Sequence, residues 1–132
     1  MVFEVKTPIL GFEQTEKVEL KIIDETTAVI TDVKNKNISF TLINPYALRE
    51  YSFDVPSPVQ VLLDINQNSK INIFNILVMQ KPIENSIVNF LAPLVFNMDN
   101  GTMGQAVLSS KDYPDFGVSK QLKEYLKDKK AS

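Results

Sequence analysis

The tightest constraint on this chain is its period-2 hydrophobicity. In "KVELKII" (17–23) Val18, Leu20 and Ile22 alternate with Lys17, Glu19 and Lys21, and in "NISFTLI" (37–43) Ile38, Phe40 and Leu42 alternate with Ser39 and Thr41. Successive side chains of a strand point to opposite faces, so these runs predict strands with one face buried and one wet. "VFEVKT" (2–7), "TAVITDV" (27–33) and "EYSFDV" (50–55) follow the pattern more loosely and are expected as further strands. "INIFNILVM" (71–79) and "SIVNFLAPLVF" (86–96) are apolar on both faces, the pattern of central strands covered on both sides.

Between these runs lie short polar or proline-bearing connectors: "DVKNKN", "INPYAL", "VPSP", "NQNSK" and "QKPIEN". Such spacing suits a meandering antiparallel order rather than strand–helix–strand units. Strands buried on both faces need closure or sandwiching to hide their edges. The expected fold is therefore mainly β: a small antiparallel β-barrel of about eight strands with one or two short helices, including a C-terminal helix. With 132 residues the chain has room for one core. The expected organisation is a barrel domain over 1–117 and an amphipathic helix with a basic tail over 118–132.

Two helices are expected. "SPVQVLLDIN" begins after Ser57 with Pro58 at its first position and puts Val59, Leu62 and Leu63 on one face. In "VSKQLKEYLKDKK" Val118, Leu122, Tyr125 and Leu126 recur at helical spacing behind a Ser119 cap, with lysines in the last turn. Its narrow stripe reads as docking on the barrel, or as an element that detaches to meet a partner.

The longest apolar run lies in "VNFLAPLVFNMDNGTMGQAVL" (88–108). Asn100-Gly101 is a hairpin signal, because both residues tolerate positive φ, and it would pair a strand ending near Asn97 with one starting near Met103. Pro93 cannot donate to a ladder, so Ala92-Pro93 is expected at a bulge that bends a long strand round the barrel. Such a bulge could also leave a gap for an incoming strand. Asn89, a polar residue in an apolar run, is expected to tie down a neighbouring loop if buried, or to contact a partner. Asn44-Pro45-Tyr46 reads as a turn with Tyr46 packed over it. Phe3, Phe12, Phe40, Phe53, Phe74, Phe90 and Phe96 are mostly core candidates.

The chemistry open to the chain is narrow. It has no cysteine and no histidine, which removes thiolate nucleophiles, disulfides, Cys/His zinc sites and Ser-His-Asp catalysis. Ser110 and Lys111 are adjacent and would face opposite ways on a strand, and Asp112 and Asp115 flank Pro114 as a turn would. Four glycines leave no phosphate-cradling loop. The expectation is no catalytic residue, no cofactor, no metal and no small-molecule substrate. No run is apolar enough to span a bilayer and no secretory signal is evident, so a cytoplasmic protein without a membrane partner is expected. Residues 120–130 carry five lysines against Glu124 and Asp128, which leaves nine basic and fourteen acidic residues in the rest. An acidic body repels phosphate, so direct nucleic-acid binding is not expected. The alternative is a small nucleic-acid-binding barrel in the manner of an OB-fold. It would need a positive groove with exposed aromatics, and the chain has a single arginine, Arg49.

Three stretches in order resemble the flagellar assembly factor FliW family. They are "ILGFE" (9–13) with Gly11 and Phe12, "FTLINPYALREYSFDV" (40–55) with Pro45, and the Asn-x-x-Ala-Pro and Gln-x-x-Leu pair. In this chain that pair is Asn89, Ala92 and Pro93, then Gln105 and Leu108, joined through Asn100 and Gly101. The resemblance implies a cytoplasmic, non-enzymatic regulator of flagellin production. It implies binding to flagellin and to the RNA-binding translational repressor CsrA, with exchange between the two coupling flagellin synthesis to export. A basic repressor would be drawn to an acidic body. Asp54, Asp64, Glu84 and Asp99, in or beside connectors, are the candidates for charged contacts, with Asn89 as a further candidate for protein binding.

Overall fold

The computed structural model describes residues 1–117 and 120–125. Eight strands are present: β1 (Val2–Thr7), β2 (Lys17–Ile22), β3 (Thr27–Asp32), β4 (Ser39–Ile43), β5 (Ile71–Val78), β6 (Ile87–Val88), β7 (Leu94–Asn97) and β8 (Thr102–Gln105). Seven of them close a ring in the order β4-β3-β2-β1-β8-β7-β5, with β5 returning to β4, and β6 is an extra strand beside β5. A ring with an odd number of strands cannot alternate direction all the way round. One neighbouring pair must run parallel, and it is β1 with β8, through Glu4↔Thr102 and Val5↔Met103.

The alternating runs mostly behave as their period requires, except that Ile22 at the end of β2 is half exposed. Val18, Leu20, Ala28, Ile30 and Leu42 point into the barrel with Phe3, Phe74, Leu94, Phe96 and Met103. Phe96 receives Phe3 edge-on at 5.1 Å and Phe74 at 5.7 Å. Burying a side chain of this kind contributes about 1.5–3 kcal/mol, so this cluster supplies much of the driving force. β7 is apolar on both faces because it is covered on both. Leu94 and Phe96 face inward, while Val95 faces outward against Val59, Leu63 and Ala106. The outer cover is built on the short helix α1 (Ser57–Leu62), which starts at Ser57 with Pro56 in the N-cap position and no side-chain cap. Leu62 does not share the buried face with Val59 and Leu63; it is exposed, like Val61.

Two strand expectations change. Residues 50–55 form no ladder. Tyr51 is buried, Phe53 and Val55 are half-buried, and Ser52 and Asp54 are exposed, so the alternation of faces survives. The backbone of this segment is held by side chains instead, as where the Asp54 N–H donates to the Tyr113 hydroxyl at 3.0 Å. Residues 86–96 form two short pairings rather than one strand. β6 pairs with β5 through Leu77↔Val88 and Val78↔Ile87, and β7 pairs with the same strand through Phe74↔Leu94 to Ile71↔Asn97. Five residues, 89–93, therefore stand opposite two, Asn75 and Ile76. That is the bulge expected at Ala92-Pro93, wider than a single extra residue.

The β7–β8 hairpin pairs Asn97 with Thr102 across a four-residue loop. Gly101 takes the left-handed conformation at φ +70°, where a side chain would be strained. Asn100 does not; its Oδ1 accepts from the Thr102 N–H and hydroxyl, and its Nδ2 donates to the Leu63 carbonyl at 2.9 Å. In the Pro45–Ala47 turn, Asn44 Oδ1 accepts from the Tyr46 N–H at 3.0 Å. Pro45 is buried there and Tyr46 is 55% exposed, the reverse of the packing expected.

One carboxylate outside the candidate set stabilises the barrel. Asp32 is buried at the end of β3 and accepts from the Thr15 hydroxyl at 2.8 Å and from the Lys34 and Asn35 N–H groups. The Thr15 hydroxyl, then these N–H groups, hold its carboxyl below the usual Asp value. A lowered folded value means that the stabilisation is fully present above about pH 4 and is lost as pH falls through that value. Thr15→Val should cost about 1.5–3 kcal/mol at pH 7, the range for hydrogen bonds to charged groups. In urea titrations the difference from the parent should shrink steadily below pH 4.

Candidate functional site

Residues 89–93 are where the expected bulge could also have left a gap for an incoming strand, and that gap is filled. The five carbonyls of the bulge all have internal donors. Asn89 accepts from Asn75 Nδ2 at 2.8 Å, and Phe90 accepts from the Tyr51 hydroxyl at 2.6 Å. Leu91 accepts from the Leu108 N–H at 2.7 Å, Ala92 from Gln105 Nε2 at 3.2 Å, and Pro93 from the Ala106 N–H at 2.9 Å. The bulge is thus a pinned shape. Asn89 itself is exposed, so the amide that ties the loop is not its own but that of Asn75, fully buried on β5.

Gln105 explains why the separated motifs belong together. Its Nε2 holds Ala92, and its Oε1 accepts from the Leu10 N–H at 2.8 Å, so one buried side chain joins the Ala-Pro bulge to the 9–12 loop. That loop is a tight turn, with Ile9 bridged to Phe12 and Gly11 at its tip with φ +87°. Ile9 enters the core, Leu10 is exposed, and Phe12, partly exposed, meets Phe40 edge-on at 4.7 Å. Thr7 closes the join from the other side, its hydroxyl donating to the Gln105 carbonyl at 2.9 Å. The approach leaves no room for a Cβ on Gly104, which would run into the Thr7 side chain.

On the opposite flank of the bulge Tyr51 is the hub. Its hydroxyl donates to Phe90 and accepts from Asn75 Nδ2 at 3.2 Å. Burial pushes this phenol up to about 12, so at neutral pH it acts as a hydrogen-bond donor and not as an acid or base. Phe53, Phe90 and Phe116 surround its ring, the last at 4.7 Å. Arg49 lies over both Phe90 and Phe116, its guanidinium carbon 5.2 and 5.1 Å from the ring centres. Its Nη1 donates to the Asp115 carbonyl at 3.4 Å. The single arginine is thus committed to aromatic stacking and to the 114–117 turn. Among the described residues, no group of three or more His, Cys, Asp or Glu side chains could hold a metal.

The charged candidates fall into two groups. Asp64, with φ 53°, and Asp99 flank the loop–hairpin contact at the start of β5. There Leu63 accepts from Asn97 and Asn100, and Asp99 Oδ2 accepts from the Lys70 N–H at 3.0 Å. Glu84 sits in the turn beyond the other end of β5, and the eight residues of that strand span about 23 Å. Asp54, tied to Tyr113, lies on the Tyr51–Phe116 flank, and Asn89 lies on the bulge, its carbonyl held by Asn75. All five candidates are exposed. Among the described residues the carboxylates of Asp54 and Glu84 accept no hydrogen bond, whereas that of Asp99 is used within the fold.

The described C-terminal residues lie against the same flank. Gln121 bridges Ile87, and 122–125 are helical. Leu122 and Tyr125 are buried, with Tyr125 edge-on to Phe90 at 5.8 Å. Val118, Ser119, Leu126 and the last three lysines of the expected helix lie outside the described residues.

The family model of the FliW protein matches residues 1–116. The chain belongs to the FliW family. The flagellar assembly factor FliW 1 of Wolinella succinogenes is 54% identical over 128 residues, covering 97% of this chain and 100% of that protein. FliW 2 of the same organism is 44% identical, covering 96% and 93%. The FliW of Sulfurimonas denitrificans is 45% identical, covering 96% and 99%. A crystal structure of the flagellar assembly factor FliW superposes with a TM-score of 0.81 over 92% of this chain and 84% of that one, at 20% identity, and so shares the fold. In FliW terms, the motif residues Ala92, Pro93, Gln105 and Leu108 have a structural reason here, since their atoms pin the bulge.

Asn75, Tyr51 and Arg49 were not candidates from sequence. An asparagine inside "INIFNILVM" was a signal that could have found the first, because a polar amide in a doubly apolar strand demands partners.

Proposed function

We propose that this chain is a cytoplasmic flagellar assembly factor that works by binding, without chemistry of its own. It binds flagellin, and when flagellin leaves by export it binds the repressor CsrA and lifts repression of the flagellin message. The observation that carries this reading is family membership: a relative named a flagellar assembly factor is 54% identical over nearly the whole chain. The physical character of the surface supports it. The shell is acidic outside residues 120–130, the bulge is held rigid by its own donors, and the carboxylates of Asp54 and Glu84 are exposed. An acidic body complements a protein that carries positive charge to hold RNA, and it opposes RNA nearby. Stacking of Arg49 on Phe90 and Phe116 argues against the nucleic-acid-binding alternative, since it removes the one guanidinium from a possible base-reading groove.

Isothermal titration with purified flagellin and with purified CsrA tests the reading. One-to-one binding of each is expected, and no heat with either protein at tens of micromolar would reject it.

A further inference from the structure

β6 is two residues long and pairs on one side with β5. Its outer edge is occupied by the chain's own residues 120–125. Ile87 bridges Gln121 in antiparallel fashion, and the Leu122 N–H donates to the Ser86 carbonyl at 2.7 Å. Leu122 and Tyr125 are the apolar anchors, 8% and 7% exposed. Lys123 Nζ donates to Asn85 Oδ1 at 3.1 Å, beside Glu84, and Lys120 Nζ stands 5.5 Å from the Tyr125 ring. The segment docks on the sheet edge by one backbone bridge for register, with two apolar side chains of the helical turn after it for anchorage and charge on the rim. The segment covers only part of the apolar surface there. Val78, Met79 and Ile83 at the tip above it remain about half exposed, and a hollow of about 280 Å³ lies between Val78, Ile87, Phe90, Leu91 and Phe116.

We propose that the outer edge of β6 is a peptide-docking edge for the basic partner of this protein, and that residues 120–125 are its resident competitor. The inference rests on the reading that the chain acts by binding proteins. Charge selects the occupant. The strap belongs to a stretch with five lysines against two acidic residues, and it lies on a body with nine basic and fourteen acidic residues. A segment that takes its place on that body carries the same sign, so the edge serves the basic, RNA-binding partner rather than flagellin. An incoming segment that also covers Val78, Met79 and Ile83 gains apolar contact the strap does not make, and so it can win the exchange.

The chain has no cysteine, so a single engineered disulfide can lock the strap. In the Ile87–Gln121 bridge the flanking Leu122–Ser86 bond makes this a non-hydrogen-bonded pair, whose Cα separation of about 4.5 Å suits a disulfide. The double variant Ile87→Cys, Gln121→Cys is titrated in its oxidised and reduced forms with CsrA and with flagellin. The expected result is CsrA affinity at least tenfold lower in the oxidised form, with flagellin affinity within twofold in both. Equal CsrA affinity in the two forms would overturn the proposal while leaving the binding function intact. A reduced form that dimerises through the strap while the oxidised form stays monomeric would also overturn it, by giving the edge to a second copy. If neither partner binds even the parent, the underlying reading fails, and the edge is judged by a second measurement. A fluorescein-labelled peptide of residues 118–132 is added to the full chain carrying Leu122→Asp and Tyr125→Ala, and to the oxidised variant. Saturable binding to the first and none to the second is expected; no binding to the first overturns the docking edge.

Discussion

Gln105→Leu lowers the stability of the protein by about 2–4 kcal/mol and frees the 9–12 loop. Leucine is close to glutamine in volume, so packing alone predicts little. The loss comes from two backbone groups left without their partner: the Leu10 N–H, held at 2.8 Å, and the Ala92 carbonyl, held at 3.2 Å. A buried polar group stripped of its partner costs about 1–3 kcal/mol. Ala92 is 5% exposed and cannot turn to water, so its side of the join carries more of the cost. Gln105→Glu separates the two halves, because a carboxylate can accept from Leu10 but cannot donate to Ala92. Urea unfolding gives the total. Amide exchange at Leu10 gives its local part, faster in the leucine variant and near the parent's in the glutamate variant. A loss below about 1 kcal/mol for Gln105→Leu would show that the motifs are not joined through this side chain.

On the proposed function, reversing charge at Asp54 and Glu84 together, by Asp54→Lys with Glu84→Lys, should weaken CsrA binding at least thirtyfold at low salt, about 2 kcal/mol. Both residues are exposed, and among the described residues their carboxylates hold no fold-forming hydrogen bond, so unfolding temperature should stay within about 2 °C. The comparison pair is Asp64→Asn with Asp99→Asn. Asp64 and Asp99 flank the start of β5, whose eight residues span about 23 Å and beyond whose other end Glu84 sits. They should change CsrA affinity less than threefold. The difference between the pairs should narrow as salt is raised, since rim charges act largely through screened attraction. Equal losses from both pairs would place the charged footprint across the whole barrel.

The barrel was legible because period-2 alternation is set by local geometry: Val18, Leu20 and Ala28 had one face to bury and do so. Closure was legible because "INIFNILVM" and the 86–96 run had no wet face. The parallel β1–β8 contact was not, since it follows from the parity of a seven-strand ring and not from any residue. "EYSFDV" misled because faces and ladder are separate properties; Tyr51 and Asp54 keep the alternation while the backbone is held by Phe90, through the Tyr51 hydroxyl, and by Tyr113. At the candidate site the Ala92-Pro93 bulge was legible from the missing proline donor. Its pinning was not, because the donors come from Tyr51, Asn75, Gln105, Ala106 and Leu108, brought together only by closure. The five exposed candidates were chosen for charge or for an odd polar residue in an apolar run. Neither property reports which end of a barrel a residue will occupy.

Partner exchange is the core of the proposed function, and one measurement reads it directly. A fluorescent RNA carrying a CsrA site is bound by CsrA and followed by anisotropy as this protein, and then flagellin, is added. The predicted trace falls to the free-RNA value with the protein and rises again with flagellin, while the protein alone leaves the RNA signal unchanged. An unchanged CsrA–RNA signal, or a rise when the protein meets RNA without CsrA, contradicts it.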